Sequence, residues 1–291
     1  IHFAHQTFNW SNEAKSNAAV HVVIIGFAQF DSTNKRIFEY ENIKSNAHEK
    51  SAKNINAYLV EGDDIVIEKR RKPLCNVLNI IKGNYYAKSE GLIIEEKDLD
   101  YLVKNEPNAK KWIKLLIGAD EFINNRKRYC LWLVDCPPDE LRKMPLVMER
   151  VNRVREDRLK STDKGMQNLA PIRFRETNNP DKCIVIPVVS SEKRPYIPIG
   201  FIDKNTISTN GNLIIPNGDL FLFGQLTSLM QMSWVKYTCG RLESRFRYSK
   251  DIVYNNYPFP KNVNEKQKSV VEEKAQNVLD IRASFSDCSL A

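Results

Sequence analysis

The stretch DLFLFGQLTSLMQMSWVKYTCGRLESRFRYS, residues 219–249, carries two periodicities in one run. Its first part reads as a long apolar helix over 220–238, with Asp219 placed to accept from the first turn's unpaired N–H groups and Gly240 standing where a helix commonly ends. From Gly240 to Ser249, charged and apolar side chains alternate with the period of a strand, so Glu243, Arg245 and Arg247 would project from one face. A helix that hands over to an alternating strand, with further short strands before it, predicts a mixed α+β architecture. A carboxylate accepts from the cytosine amino group and a guanidinium forks onto guanine O6 and N7, so one base-pair edge can engage two of these residues. The same spacing also describes a solvated strand whose charges pair with one another.

Working back from that stretch, short strands are expected at 172–175, 183–189, 196–202 and 212–215, separated by Asn178-Asn179-Pro180 and Asn210-Gly211. A strand at 128–134 precedes a helix that Pro137-Pro138 opens, with Asp139 and Glu140 well placed against the N-terminal dipole, and that runs to Lys160. Its far end is basic: Arg150, Arg153, Arg155, Arg158 and Lys160. Arg150, Arg153 and Arg158 can share a helical face, which suits a phosphate track or a solvated surface equally. Helices are also expected at 96–104 and at 109–123, the latter from the apolar stripe Trp112, Leu115, Leu116 and Ile117. The first sixty residues read as strands 1–8, 18–27 and 36–40. The middle one is apolar almost throughout, as in the centre of a sheet covered on both faces. A polar, turn-rich stretch, 41–56, follows. The Gly62-Asp63-Asp64 turn then leads through Ile65-Val66-Ile67 to Lys69-Arg70-Arg71-Lys72, and a domain boundary is placed here. Asn255-Asn256-Tyr257-Pro258-Phe259-Pro260 leads into an amphipathic helix from about Asn264. The expected division is 1–58, 59–255 and 256–291.

At 291 residues, 42% hydrophobic and 27% charged, the chain can bury a sizeable core and hold two domains. Its net charge is +8, and six of the eight excess positive charges lie between residues 136 and 255. A clustered excess favours a polyanionic partner, because phosphate binding releases counterions. No apolar run approaches the roughly 20 residues of a membrane helix. The chain opens on Ile1 without the basic start of a signal peptide, which reads as a piece of a longer protein. Six cysteines at 75, 130, 136, 183, 239 and 288 form no Cys-x-x-Cys pair and have no histidine beside them, so reduced thiols and a cytoplasmic location are expected. The four histidines all lie in the first sixty residues, and His21, in an apolar strand, reads as structural.

There is no Gly-x-Gly-x-x-Gly, no Walker loop and no His-Glu-x-x-His. Asp135-Cys136-Pro137-Pro138-Asp139 imitates the (Asn/Asp/Ser)-Pro-Pro-aromatic loop of adenine methyltransferases, but Cys136 interrupts it and Asp139 replaces the aromatic. It reads as a helix start. Glu95-x-Lys97 with Asp63 or Asp64 upstream imitates a metal-dependent nuclease, although Glu95 to Asp98 already makes sense as a helix start.

Taken together, the motifs resemble the MmeI-like family of single-chain type II restriction and modification enzymes, which join a nuclease, a gamma-class adenine-N6 methyltransferase and a target recognition domain. Thr7-Phe8-Asn9-Trp10-Ser11-Asn12-Glu13-Ala14 followed by Ala19-Val20-His21-Val22-Val23-Ile24-Ile25-Gly26-Phe27 is similar to the end of the methyltransferase domain. Glu121-Phe122-Ile123-Asn124, the arginine-rich helix, Ser190-Ser191-Glu192-Lys193-Arg194-Pro195-Tyr196-Ile197-Pro198, residues 240–249, and Val253 to Pro260 are similar to its recognition domain. The resemblance implies residual methyltransferase strands, then an α+β recognition domain, then the start of a helical segment. It implies that Glu243 and Arg245 read one C·G pair beside the methylated adenine, with Arg247 and Asn210, in the Ser208 to Asn212 turn, as further base contacts. Arg150, Arg153, Arg158, Arg194 and Arg241 are the phosphate-binding candidates. Phe8 or Trp10 is the candidate to stack on a flipped base. S-adenosyl-L-methionine and the nuclease's Mg²⁺ would be bound by the parent protein, outside this chain, so no catalytic or metal residue is expected within it. The implied partner is double-stranded DNA, bound by a monomer. A metal-dependent nuclease fragment and a protein-interaction module are the other readings.

Overall fold

The computed structural model describes residues 1–10, 20–285 and 288–290. They divide into two compact units, Ile1–Lys69 with Arg241–Arg245, and Arg70–Gly240 with Phe246–Ala291. The architecture is α+β, with several small sheets and the helices that cover them.

In the first unit, β1 (Phe3–Trp10), β2 (Val20–Gly26), β3 (Lys35–Glu39) and β4 (His48–Ala52) form one sheet in the order β2-β1-β3-β4. β1 is antiparallel to β2 and parallel to β3. Ala4 and Ile37 are register partners, and they form a small core with Ala52 and Ile55. The strand expected at the centre of a sheet is instead the edge strand β2, with Val20, Val23, Ile24 and Ile25 exposed. Apolarity reports what a strand's faces meet, not its place in the hydrogen-bonded order. Residues 11–19, which include the start of that expected strand and part of the first family motif, lie outside the described residues. The supposedly turn-rich stretch 41–56 contributes β4. All but the last of β4's side chains are exposed, so it carries no apolar signal. Its pairing with β3 is accompanied by the cross-strand ion pairs Arg36–Glu49 and Glu39–Lys50.

The second unit begins with β5 (Ile81–Lys82), β6 (Ile93–Glu95), α1 (Glu96–Asn105), β7 (Ile113–Ile117), α2 (Ala119–Asn124) and β8 (Arg128–Leu131). It continues with α3 (Pro138–Leu141), α4 (Pro145–Leu159), α5 (Lys164–Gln167), β9 (Lys182–Pro187), β10 (Val189–Ser190), β11 (Gly200–Asp203), β12 (Thr206–Ser208) and β13 (Asn212–Pro216). Helices α6 (Leu220–Leu226) and α7 (Leu229–Thr238), strands β14 (Gly240–Leu242) and β15 (Arg245–Arg247), and helix α8 (Glu265–Ala283) complete the chain. The sheet β12-β7-β8-β6 buries Ile94, Leu116 and Leu131 against Leu102 of α1 and Val147, Val151 and Val154 of α4. The sheet β11-β9-β13-β5 buries Ile184, Ile186, Leu213 and Ile215 with Phe223 of α6, Val235 of α7 and Ala275 of α8. Burial pushes the thiols of Cys130 and Cys183 up to about 12, so neither is poised as a nucleophile.

Several expected elements are broken or reassigned. The helix expected over 109–123 is a 3₁₀ turn, the strand β7 and the short helix α2. Trp112, Leu115 and Leu116 happen to fall at helical spacing, but β7 sits between β8 and β12, where strand pairing outweighs local periodicity. The helix expected from Pro138 to Lys160 divides at Pro145, which has no N–H to continue the ladder and opens α4 instead. The long helix after Asp219 also divides. Asp219 caps it as expected, accepting from the Leu222 N–H at 2.8 Å, but Ser228 then caps α7 afresh by accepting from Gln231 at 3.1 Å. Gly240 does not close the helix in a left-handed turn, because Cys239 is already extended and no glycine has positive φ. Residues 172–175 form no strand. The expected final helix is α8, capped by Asn264 and Gln267 in a reciprocal capping box.

Candidate nucleic-acid interface

The alternating segment forms a hairpin, not one strand. β14 and β15 are neighbours joined by Glu243 and Ser244, and β15 pairs on its other side with β10, Val189 opposite Arg247 and Ser190 opposite Phe246. Alternation still governs β15. Phe246 and Tyr248 are each 2% exposed and belong to the core, whereas Arg245 and Arg247 point outward. The Tyr248 N–H donates to the Val188 carbonyl at 2.8 Å, and its hydroxyl bonds the Gln231 side-chain amide of α7 at 3.0 Å. Burial is the main reason the Tyr248 hydroxyl is pushed above its ordinary pKa, so it stays a neutral anchor. The outward guanidinium groups therefore ride on a strand whose inner face is fixed.

Glu243 leaves the strand at the turn, with φ 57°, a left-handed conformation uncommon for a residue with a Cβ. Backbone held in such a region commonly marks a site where geometry serves function. The turn nonetheless brings the carboxylate to the expected neighbour: Arg245 Nη2 donates to Glu243 Oε2 at 2.9 Å, with the two side chains 45% and 74% exposed. Arg241 Nη1 donates to the Ser244 carbonyl at 3.1 Å, bracing the same turn. An exposed pair of this kind is worth at most about 1 kcal/mol. It orients both groups without locking them. A carboxylate acceptor beside a guanidinium donor is the complement of cytosine N4 beside guanine O6 and N7.

Asn210 lies elsewhere, half-buried in the turn between β12 and β13. Its N–H donates to the Asn84 carbonyl at 3.0 Å, and the fully buried Asn84 side chain donates to Ser208 O at 3.0 Å and Asn178 O at 2.9 Å. Gly83 explains why this turn sits so close: a Cβ there would fall 2.1 Å from the Thr209 carbonyl oxygen.

The arginine row of α4 does not form. Arg158 is 1% exposed, and its guanidinium donates to Lys88 O, Leu169 O, Ala170 O, Arg173 O and Ser89 Oγ, which fits a structural strut and not a phosphate contact. Arg150 is half-buried and donates to Gly91 O and Ile93 O, while Arg153 pairs with Glu149 at 2.7 Å. Arg194 is half-buried, its Nε without a partner among the described residues, and Arg241 is exposed in the hairpin.

The turn residues Arg241–Arg245 group with Ile1–Lys69, the unit that holds an aromatic cluster. Phe8 stacks on Tyr40 at 5.1 Å and 16°, and Trp10, 45% exposed, lies 6.2 Å from Phe8. His5 stacks on Phe38 at 4.1 Å and bonds the Tyr40 hydroxyl at 2.8 Å; burial holds it below its usual pKa, favouring the neutral ring. Tyr40 and His5 were not singled out from the sequence. Sequence distance hid them, since only the β1–β3 pairing brings 36–40 beside 3–10.

Glu95 closes β6 opposite Arg128, and among the described residues no three His, Cys, Asp or Glu side chains are grouped to hold a metal. No helix of the described residues is long and apolar enough to cross a membrane.

Residues 61–261 match the family model described as the MmeI target recognition domain, and residues 1–39 match that of the MmeI DNA-methyltransferase domain. A curated relative, DNA methyltransferase A of Bacillus subtilis (strain 168), is 38% identical over 286 residues, covering 97% of this chain and 32% of that protein. A solved structure of the type IIL restriction-modification enzyme MmeI in complex with DNA is 42% identical, with a TM-score of 0.89 over 100% of this chain and 39% of that one. The chain thus spans a third to two fifths of the length of these relatives.

Proposed function

The chain belongs to the MmeI family, and from that premise we propose that it reads duplex DNA in a sequence-specific way on behalf of an adenine-N6 methyltransferase with a linked endonuclease. Residues 59–255 form the recognition domain in this reading, 1–58 the last strands of the methyltransferase, and 256–291 the start of a helical segment. The protein acts in the cytoplasm as a monomer. The observation that carries the reading is the exposed Glu243–Arg245 pair on a hairpin fixed from beneath by Phe246 and Tyr248. Glu243 accepts from cytosine N4 and Arg245 donates to guanine, with Arg247 and Asn210 as flanking base contacts. Arg153, Arg194 and Arg241 remain for the phosphates. Competition between duplexes that differ only by replacing or inverting this one pair tests the reading. Each lost contact is expected to cost about 1–3 kcal/mol, roughly 5- to 150-fold in affinity. Equal binding to every duplex would leave a backbone binder, and no binding a protein-interaction module.

Among the described residues, the junction at Gly118 does not fit the methyl donor. The strand–glycine–helix junction at Gly118 is filled by the chain's own Glu121, whose Oε2 accepts from the Gly118 N–H at 2.7 Å. S-adenosyl-L-methionine, like the nuclease's Mg²⁺, belongs to the parent protein in this reading. The chain's own contribution to methylation is to hold the extruded adenine. Trp10, exposed beside the stacked Phe8 and Tyr40, offers a ring face, and Phe8 supports it. Trp10→Ala or Phe8→Ala in the full-length protein is expected to abolish methylation while leaving duplex affinity within about twofold. Unchanged methylation would remove these residues from the role.

A further inference from the structure

Lys69-Arg70-Arg71-Lys72 is the only run of four consecutive basic residues in the chain. Three of its members, Arg70 to Lys72, fall in the second unit and are exposed. A basic run of this kind is ordinarily a solvated connector, and a solvated connector needs no anchoring. This one is anchored. The Arg70 N–H donates to the Asp251 carbonyl at 2.9 Å, the Asn255 side-chain amide donates to the Arg70 carbonyl at 2.7 Å, and Arg70 Nε donates to Asn256 Oδ1 at 2.8 Å. Two residues past the end of the run, the Leu74 N–H donates to the Asn255 carbonyl at 2.7 Å.

The anchoring segment is itself rigid. Lys250–Tyr254 is a π-helical turn capped by Ser249, with Val253 and Tyr254 fully buried. Asn255 and Asn256 are 2% and 8% exposed, and the Asn256 amide also holds the carbonyls of Asp251 and Ile252. Two buried asparagines thus fix an exposed cationic peptide, Asn255 through the peptide's backbone and Asn256 through the Arg70 side chain, while Arg71 and Lys72 make no ion pair with any described residue. The anchor follows the recognition hairpin directly. Asp251 is four residues beyond Arg247, so the chain cannot separate them by more than about 14 Å, less than half a turn of duplex DNA.

We propose that Arg70, Arg71 and Lys72 form a phosphate clamp that grips the DNA backbone close to where Arg247 meets the duplex, an inference that rests on the duplex-reading function proposed above. The clamp supplies affinity and register and carries no sequence information, because phosphates are the same at every step. Arg70 has its backbone and Nε fixed, so its outer guanidinium nitrogens and the neighbouring cations meet the phosphates with little left to order.

The test is Arg71→Gln with Lys72→Gln in the full-length protein, titrated against a cognate and a scrambled duplex between 50 and 200 mM salt, conditions on the order of those that resolve counterion release. Wild type is expected to bind both duplexes with a steep salt slope. In the variant the slope should fall by about 1.8, with affinity near 0.1 M salt reduced on the order of tenfold to a hundredfold on both duplexes alike. The charge-conserving Arg71→Lys with Lys72→Arg should restore both. An unchanged slope in a variant of a wild type that does bind would overturn the clamp alone. A loss of sequence preference at constant slope would overturn it too, since that is what a base contact does. Failure of the wild type to bind either duplex would instead overturn the duplex-reading function, and the clamp with it.

Discussion

Exchanging Glu243→Lys together with Arg245→Asp is expected to invert the preferred base pair, from C·G to G·C, without moving the register. The argument rests on which atoms each position offers. In the native turn the first position accepts and the second donates, matching cytosine N4 and then guanine O6 and N7. After the exchange the first donates and the second accepts, so the same two edges are satisfied with the bases swapped. The scaffold does not depend on either side chain, because Phe246, Tyr248 and the pairing with Val189 and Ser190 hold β15. Each mismatched contact is worth about 1–3 kcal/mol, so the swing between the two duplexes is about 2–6 kcal/mol, roughly 30-fold or more. Removing only Arg245 should be worse than half the exchange. It leaves the Glu243 carboxylate without its 2.9 Å partner, facing a polyanion.

The second large effect is on stability. Arg158→Met, which retains much of the side chain's volume, is expected to destabilise the second unit by about 3–5 kcal/mol, because four carbonyls and the Ser89 hydroxyl lose the donor that satisfies them together. The arginine's own burial, which lowers its pKa through desolvation, offsets part of the gain from those bonds, so the loss is well below their sum. Thermal unfolding should show a fall on the order of 10 °C. Arg158→Lys should recover little, because one ammonium cannot span acceptors drawn from residues 88–89 and 169–173. A variant that melts within about 2 °C of wild type would show that these bonds add little.

Arg158 also illustrates what the sequence could not disclose. Within its helix it continues the buried stripe of Val147, Val151 and Val154, as Arg153, exposed and paired with Glu149, does not, but the stripe gives no sign of what would satisfy a buried guanidinium. The acceptors lie about 70 residues upstream and 11 to 15 downstream. The Asp219 cap was legible because it is local: its side chain accepts from an N–H three residues ahead, as that of Asn264 does at the start of α8. The strand β7 was not, because its partners at 128–131 and 206–208 decide it and its own spacing suggests a helix.

The hairpin falls between these cases. Charge alternation located the outward Arg245 and Arg247 and the buried Phe246 and Tyr248, since period two survives in β15. It missed the turn, because Glu243-Ser244 carries none of the Asn-Gly or Asp-Gly signals that announce a reversal. That omission matters to the chemistry. A continuous strand would space Glu243 and Arg245 along one face, whereas the turn closes them into a donor–acceptor pair before any DNA arrives.

Sequencing of the adenines methylated by the full-length protein, wild type against Glu243→Lys with Arg245→Asp, tests the central claim most directly. Wild type is expected to mark adenines that share a C·G pair at one fixed offset, and the exchanged protein to mark the same pattern with G·C at that offset and every other position unchanged. An identical set of methylated sites from the two proteins would contradict base reading by this hairpin.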